Sequence, residues 1–491
     1  MRIPLDRQSR VPLYQQIEAH LRASILSGSL APDTRLPAAR QLAGDLGVNR
    51  ITVDAAYAEL QADGLILSRI GSGTFVAQPD LPPTLPQRDP NLPWPFWQQD
   101  VVARSGIVRT TPDEMLQAAR APHPISFAGG IGDSHLFPVQ DLRKVIQGVM
   151  RRDGIAALEY GERSGYAPLR STIAHVLASQ GLSVLPENVL ITAGSQQALA
   201  LVTQLVLKPG DVVLLESPTY SGALDLFRAF GLRIVGAPMD EHGLQVEALE
   251  RTLQQHHPKL IYTIPNFQNP TGACLSNQRR RQLVALAARY NIPIVEDDFV
   301  GDLRYEGRAQ PALKSLDPGG SVIYVSTFSK MLMPGLRVGF LVAQGPIYDS
   351  LVNYKRANDL ATCNLMQRTL EAYVTVGRYQ AYLRRSCQIY RKRRDAMLQV
   401  IDHYLPGARA DPPQGGLFIW LRLPDGLSSE KLLPLACEGG VAFEPGSSFF
   451  PDGSEGGDCM RLNFATHPPE EIAEGVKRLG KAIKRLRRAG A

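Results

Sequence analysis

The run "STFSKMLMPGLRVGF", Ser326 to Phe340, sets Lys330 among apolar and hydroxyl side chains, with Arg337 seven positions on. A lysine withdrawn from water favours its neutral amine, and a neutral amine is a nucleophile. The alternative is a lysine whose head snorkels from a strand end into solvent. The surrounding motifs decide between the two. "NVLITAGSQQAL" puts Gly194, Ser195 and Gln196 where an apolar strand turns into a helix, and the free N–H groups and dipole of such a helix start favour a phosphate. Thr327, Ser329 and Arg337 can close the same cup, the arginine as a bidentate charge. "IPIVEDDF" ends a strand in Glu296, Asp297 and Asp298. Three adjacent acids suit a metal, yet neighbours on a strand point to opposite faces, so at most some can share a site. "KLIYTIPNFQNPTG" brings the amide of Asn269, and "ESPTYSG" brings Tyr220.

Reactive lysine, phosphate cup, carboxylate and amide together match the needs of pyridoxal 5'-phosphate. In that reading Lys330 forms the Schiff base, Asp297 pairs with the pyridine nitrogen and Asn269 donates to the ring oxygen. Tyr220 either stacks on the ring or is a core aromatic.

The elements that must position these groups follow from the pattern around them. From about residue 123, apolar strands alternate with amphipathic helices, the signature of an α/β fold with a mainly parallel sheet. The quoted strands all end in polar groups, and in open α/β sheets the carboxyl ends of the strands line the ligand crevice.

At 491 residues the chain calls for two or three units. Five cysteines, scattered without a CxxC pair, indicate neither a disulfide framework nor a zinc site and fit a reducing cytoplasm. No apolar run approaches a membrane span, and the first residues lack a signal core. The net charge of +6 permits an anionic partner without demanding one.

The first eighty residues follow another plan. Leu13, Ile17, Leu21 and Ile25 lie on one helical face that stops at Gly28. A short helix ends at Gly47, and a third begins after Asn49 as N-cap and ends at Gly64. Two β-type runs then flank "IGSG" as a hairpin. Three helices and a wing make a winged helix-turn-helix. Eight arginines face eight carboxylates here, so DNA affinity would depend on where the arginines sit. Seven prolines between Pro79 and Pro95 predict an extended, semi-rigid linker, with Trp94, Phe96 and Trp97 anchoring its end on the larger body.

"RLPAARQLAGDLGVNRITVDAAYAELQADGLILSRIGSGTFV" resembles the GntR-type winged helix-turn-helix. The resemblance implies phosphate or base contacts by Arg35, Arg40, Arg50 and the wing residues Ser72, Gly73 and Thr74, with Asn49, Thr52 and Arg69 beside them. Serine is common in that family where Ala38 or Ala39 stands, so a cap or a phosphate contact is lost at the second helix. The motifs "YGERSGYAPLR", "GSQQAL", "PNFQNPTG", "EDDF", "STFSKMLMPGLRVG" and "MRLNFA" look like a fold-type-I aminotransferase over roughly residues 126 to 480. That likeness implies that Arg461 binds a substrate carboxylate and that Tyr160 reaches the phosphate of a neighbouring subunit, so that the site requires a homodimer. A GntR head on such a body resembles the MocR/GabR-type regulators.

The expected fold is therefore multidomain: a winged helix-turn-helix over 1–78, a linker over 79–122 and an α/β PLP-dependent transferase-like domain over 123–491. Its large subdomain would span about 170–370 and its small one about 371–491. The family usually reads "EDDY", and Phe299 replaces a tyrosine whose phenol donates to the ring oxygen unless Tyr305 or another group takes over. Three functions stay open. One is a regulator bound to a double-stranded DNA operator that senses an amino acid or other amine through Lys330. The second is a working aminotransferase with an incidental head. The third is a DNA-binding protein with a cofactor-free relic.

Overall fold

The computed structural model describes residues 3–7, 9, 11–69, 72–77, 94–105, 110–424 and 426–489. The chain divides into two compact units, Met1–Arg104 and Ser105–Ala491.

In the first unit, helix α1 (Leu13–Leu26) buries Ile17 and Leu21 completely, and the chain leaves it through Gly28 at a φ of 77°. Helix α2 (Ala39–Leu46) closes on Gly47 in the left-handed region, which glycine enters without a Cβ clash. Its N-cap, Ala38, makes no side-chain capping bond. Helix α3 (Arg50–Ala62) is capped by Asn49, whose Oδ1 accepts from the Ile51 N–H at 3.0 Å. Strands β1 (Ile66–Arg69) and β2 (Gly73–Val76) form the wing, with Arg69 opposite Gly73. Ile17, Leu21, Leu42, Val53, Leu60 and Val76 join one small core.

Most of the Pro-rich stretch, 78–93, lies outside the described residues. Beyond the prolines, Phe96–Ser105 is helical, in a run that no proline interrupts. Trp94, Phe96 and Trp97, the aromatic residues expected to anchor the linker, are 55, 81 and 65% exposed.

The second unit is built on eight strands: β3 (Val189–Thr192), β4 (Val212–Ser217), β5 (Arg233–Asp240), β6 (Gly243–Leu244), β7 (Leu260–Thr263), β8 (Ile294–Asp297), β9 (Val322–Thr327) and β10 (Gly339–Val342). Their order is β3-β10-β9-β8-β7-β4-β5-β6. The run from β9 through β8, β7 and β4 to β5 is parallel, while β10 is antiparallel to both neighbours. All four residues of β3 and all six of β9 are buried, as strands covered on both faces must be. A long helix, Arg378–Tyr404, leads to a smaller sheet ordered β11 (Arg409–Ala410), β12 (Phe418–Arg422), β14 (Cys459–Asn463) and β13 (Glu444–Pro445). One continuous apolar core joins both sheets through Val295, Phe340, Tyr379, Phe418 and Leu462.

Candidate functional site

The residues of the expected phosphate cup come together across three strands. Thr327 on β9 pairs with Gly339 on β10, and Gly339 pairs with Thr192 on β3. A Cβ on Gly339 would fall 2.7 Å from the Gly194 backbone, so only glycine lets the Gly194 turn close over the neighbouring strand. Gly194 itself sits at a φ of 118° and precedes the helix Ser195–Val206. Arg337, at a φ of 49°, folds back and donates to the Ala193 carbonyl at 2.7 Å and to Ser329 Oγ at 3.4 Å. Thr327 Oγ1 accepts from the Ser329 N–H at 3.1 Å. Tyr220 donates to Gln196 Oε1 at 3.4 Å, and Gln196 donates to the Gly222 carbonyl at 3.0 Å. Gly194, Ser195, Gln196, Tyr220, Thr327, Ser329 and Arg337 are thus one neighbourhood.

Lys330 lies in the short helical turn Phe328–Met331 that follows β9. Burial, with Arg461 and Arg337 as like charges, pushes its ammonium down to about 8. A Cβ on Gly130 would lie 3.7 Å from Lys330 Nζ and 3.8 Å from Phe418, so the strap through Gly130 passes closely over the amine. This is the withdrawn lysine rather than the snorkelling one.

Asp297 turns away from its two acidic neighbours, as the strand's alternation requires. Glu296 accepts from the Leu313 and Lys314 N–H groups at 2.8 Å each. Asp298 accepts from Tyr324 at 2.7 Å and from Asn266 at 3.1 Å. Asp297 accepts from the Tyr262 phenol at 2.8 Å through Oδ2, while its buried Oδ1 has no partner. Burial pushes the Asp297 carboxyl up to about 7, against the opposing bond from Tyr262.

Arg461 on β14 donates to Asn269 Oδ1 at 2.9 Å and to the Ala128 carbonyl at 2.6 Å. Its guanidinium lies over Phe418 at 4.2 Å and Phe449 at 4.9 Å, and its buried Nε has no partner. Phe299 is buried and stacks on Phe418 with centroids 6.5 Å apart. The Tyr305 hydroxyl donates to the Gly416 carbonyl, so it is engaged elsewhere.

Tyr160 stands apart from this cup, 84% exposed, in a hollow with Gly161, Cys363 and Asn364. In the first unit Arg35, Arg40, Asn49, Arg50, Arg69, Ser72 and Gly73 are exposed, with Thr52 and Thr74 partly so. Arg35 approaches Gly73, where a Cβ would meet its Nε at 3.0 Å, and Arg69 lies 4.9 Å over Phe75 while paired with Asp33 at 2.9 Å. Arg50 Nε lies 3.2 Å from Asp54, one turn along helix α3.

Several supporting residues escape a reading of the sequence by motif. Glu216, fully buried and pushed up to about 7 by that burial, accepts from Thr263, Ile264 and Gln268. Gln268 in turn donates to the Pro218 carbonyl and accepts from Thr271, which shapes the loop that carries Asn269. Tyr262 and the strap at Ala128 to Gly130 were missed as well. A polar residue inside an aliphatic strand, as in "KLIYTI" and "VVLLES", was the available signal.

The unpartnered Asp297 Oδ1 suits a protonated ring nitrogen, the turn at Gly194 with Arg337 suits a phosphate, and Lys330 Nζ, with no hydrogen-bond partner among the described residues, suits an aldehyde. The residues present therefore fit pyridoxal 5'-phosphate. Comparison with known proteins agrees. The model of aminotransferase class I and II matches residues 130–479, and that of bacterial regulatory proteins, gntR family, matches residues 13–76. The probable rhizopine catabolism regulatory protein MocR of Rhizobium meliloti is 32% identical over 99% of this chain and 97% of its own. The HTH-type transcriptional regulator TauR of Rhodobacter capsulatus is 33% identical over 99% and 100%. Among solved structures, LysN, the alpha-aminoadipate aminotransferase of Thermus thermophilus complexed with N-(5'-phosphopyridoxyl)-L-leucine, is 39% identical, covers 79% of this chain and 98% of its own, and superposes with a TM-score of 0.73. Pyridoxal 5'-phosphate is accordingly the cofactor of the second unit. Among the described residues no helix is long and apolar enough to cross a membrane.

Proposed function

This chain belongs to the aminotransferase class I and II family and carries a gntR-family head in the MocR-type arrangement, and we propose that its body senses an amine and reports it to that head. The observation that carries this reading is the presence, on one chain, of a withdrawn lysine near an unpartnered buried carboxylate and of an exposed, capped helix in a gntR-type head. When bound, the cofactor supplies an aldehyde that condenses with amines and a pyridinium ring that withdraws electrons. Lys330 would hold it covalently, Asp297 would hold the ring nitrogen, Asn269 would donate to the ring oxygen and Tyr220 would lie against the ring. Gly194, Ser195, Gln196, Thr327, Ser329 and Arg337 would hold the phosphate.

Arg461 turns its guanidinium to the effector's carboxylate, which makes an amino acid the fitting amine. Its two donors now rest on Asn269 and the Ala128 carbonyl, so an arriving carboxylate exchanges these partners and can loosen the strap over Lys330. Such a change shifts a population only by the effector's differential binding to the two conformations. Tyr160, exposed and remote from its own cup, is assigned to the phosphate of a second copy in a homodimer. Two heads would then read two half-sites of a double-stranded operator, with Arg50 and Thr52 of α3, Arg35 and Arg40 around α2, and the wing in contact. Five free cysteines suit a reducing cytoplasm.

The test follows the cofactor's absorption and the affinity for a DNA duplex selected from random sequence in one titration with amino acids. Amino acids that change both support the reading. A spectral change with turnover on a keto acid, at unchanged DNA affinity, would replace sensing with catalysis.

A further inference from the structure

We propose that Tyr262 is a positioning residue for the cofactor: its phenol holds Asp297 with one carboxylate oxygen turned to the ring nitrogen and keeps that carboxylate in its charged form. The inference rests on the assignment of Asp297 to the ring nitrogen given above.

The register of the sheet places the pair. Tyr262 on β7 stands opposite Val295 on β8, so Tyr262, Val295 and Asp297 share a face, while Thr263 and Glu296 point to the other. The phenol leans along the strand and meets Asp297 Oδ2 at 2.8 Å. Its ring is completely buried and held edge-on by Phe227 at 5.8 Å, so little freedom remains for the hydroxyl. Phenylalanine would bury the same apolar surface here. A hydroxyl carried into an aliphatic strand costs free energy unless it is bonded, and Asp297 is its partner.

The bond leaves Asp297 with one satisfied oxygen and one bare one. The titratable neighbours that bear on the pair are Asp298, Glu216 and Tyr220, all acidic. None of them neutralises the carboxylate, so the cation it awaits comes with the ligand. In a buried site the proton between ring nitrogen and carboxylate can rest on either partner, giving a charged or a neutral pair. A donor on Oδ2 stabilises the carboxylate form and thereby keeps the proton on the ring. Burial already pushes Asp297 upward, and loss of the phenol would push it further.

The test loads the full chain with ring-15N pyridoxal 5'-phosphate and reads the nitrogen resonance, with cofactor affinity measured alongside. Wild type is expected to hold a protonated ring nitrogen. Tyr262→Phe should move the resonance toward an unprotonated pyridine nitrogen and weaken cofactor binding about tenfold, the scale of one hydrogen bond to a charged group. Site-specific 3-fluorotyrosine at position 262, a stronger donor of nearly the same shape, should keep the wild-type resonance and keeps the proposal testable if Tyr262→Phe folds poorly. Asp297→Asn separates the two claims. If Asp297→Asn shifts the resonance and Tyr262→Phe does not, the role of Tyr262 is overturned. If neither shifts it, the placement of the ring nitrogen at Asp297 falls, and the inference with it.

Discussion

The head and the body use the same charged side chains in opposite settings. In the head, Arg50 and Asp54, or Arg69 and Asp33, meet at the surface with each side chain about half exposed or more. Such pairs are weak and screened by salt, so they release their arginines cheaply to an incoming phosphate. In the body, Lys330, Asp297, Glu216 and Arg461 are withdrawn from water and displaced from their ordinary proton affinities. Their bonds are specific and their unmet valences, at Asp297 Oδ1 and Arg461 Nε, are directed. One region is built to be read by ionic strength and base sequence, the other by proton affinity and shape.

The largest effect that would break this division comes from Lys330→Ala. The body should lose its covalent cofactor band completely, while DNA affinity without effector stays within about twofold, the range of a distant substitution. A large loss of DNA affinity at once would mean that the two regions are not separable in this way.

A pH series sharpens the body's half. The Lys330 amine is pushed down to about 8, so at pH 7.5 it should be neutral about two hundredfold more often than an ordinary lysine near 10.4. The sign follows: covalent loading should be slow well below pH 8, rise through that value and then level off. Stopped-flow absorption of apoprotein mixed with cofactor reads the rate. A profile still climbing near pH 10 would return Lys330 to the class of solvent-reaching lysines.

Arg50→Ala sharpens the head's half. We expect about 10- to 100-fold weaker binding to the selected duplex, the range of one base-reading arginine, with the absorption spectrum unchanged. Anisotropy titrations at two salt concentrations separate its roles, since loss of a phosphate contact reduces the salt slope by about one. Unchanged affinity would refute the placement of α3 as recognition helix.

The same contrast explains how much was legible in the sequence. The head's helices and wing follow from local signals, such as Gly47, Asn49 and Gly64, because caps and turns are decided by neighbours in the chain. In the body, Lys330, Asp297 and Gly194 were legible because each ends an apolar strand, and strand ends converge. Tyr262, Glu216 and the strap at Gly130 were not, because their partners lie on other strands or far along the chain. Phe299 was recognised as a departure, but its stacking on Phe418, the ring beneath Arg461, depends on how the small sheet meets the large one.

The smallest effect concerns Asn49, which stands on both sides of the comparison. Its Oδ1 caps α3, a structural task, while its exposure at the helix start also makes it a candidate DNA contact. Asn49→Ala should cost the head about 1 kcal/mol, the usual value of an N-cap, and Asn49→Ser should restore most of it because serine caps equally well. Calorimetry of the full chain should place this loss in the head's transition alone, with the cofactor-stabilised transition of the body unmoved. If Asn49→Ala leaves both transitions in place yet weakens DNA binding, and serine fails to restore it, the amide contacts DNA rather than capping. In that case even the head would hold a directed polar group of the kind otherwise confined to the body.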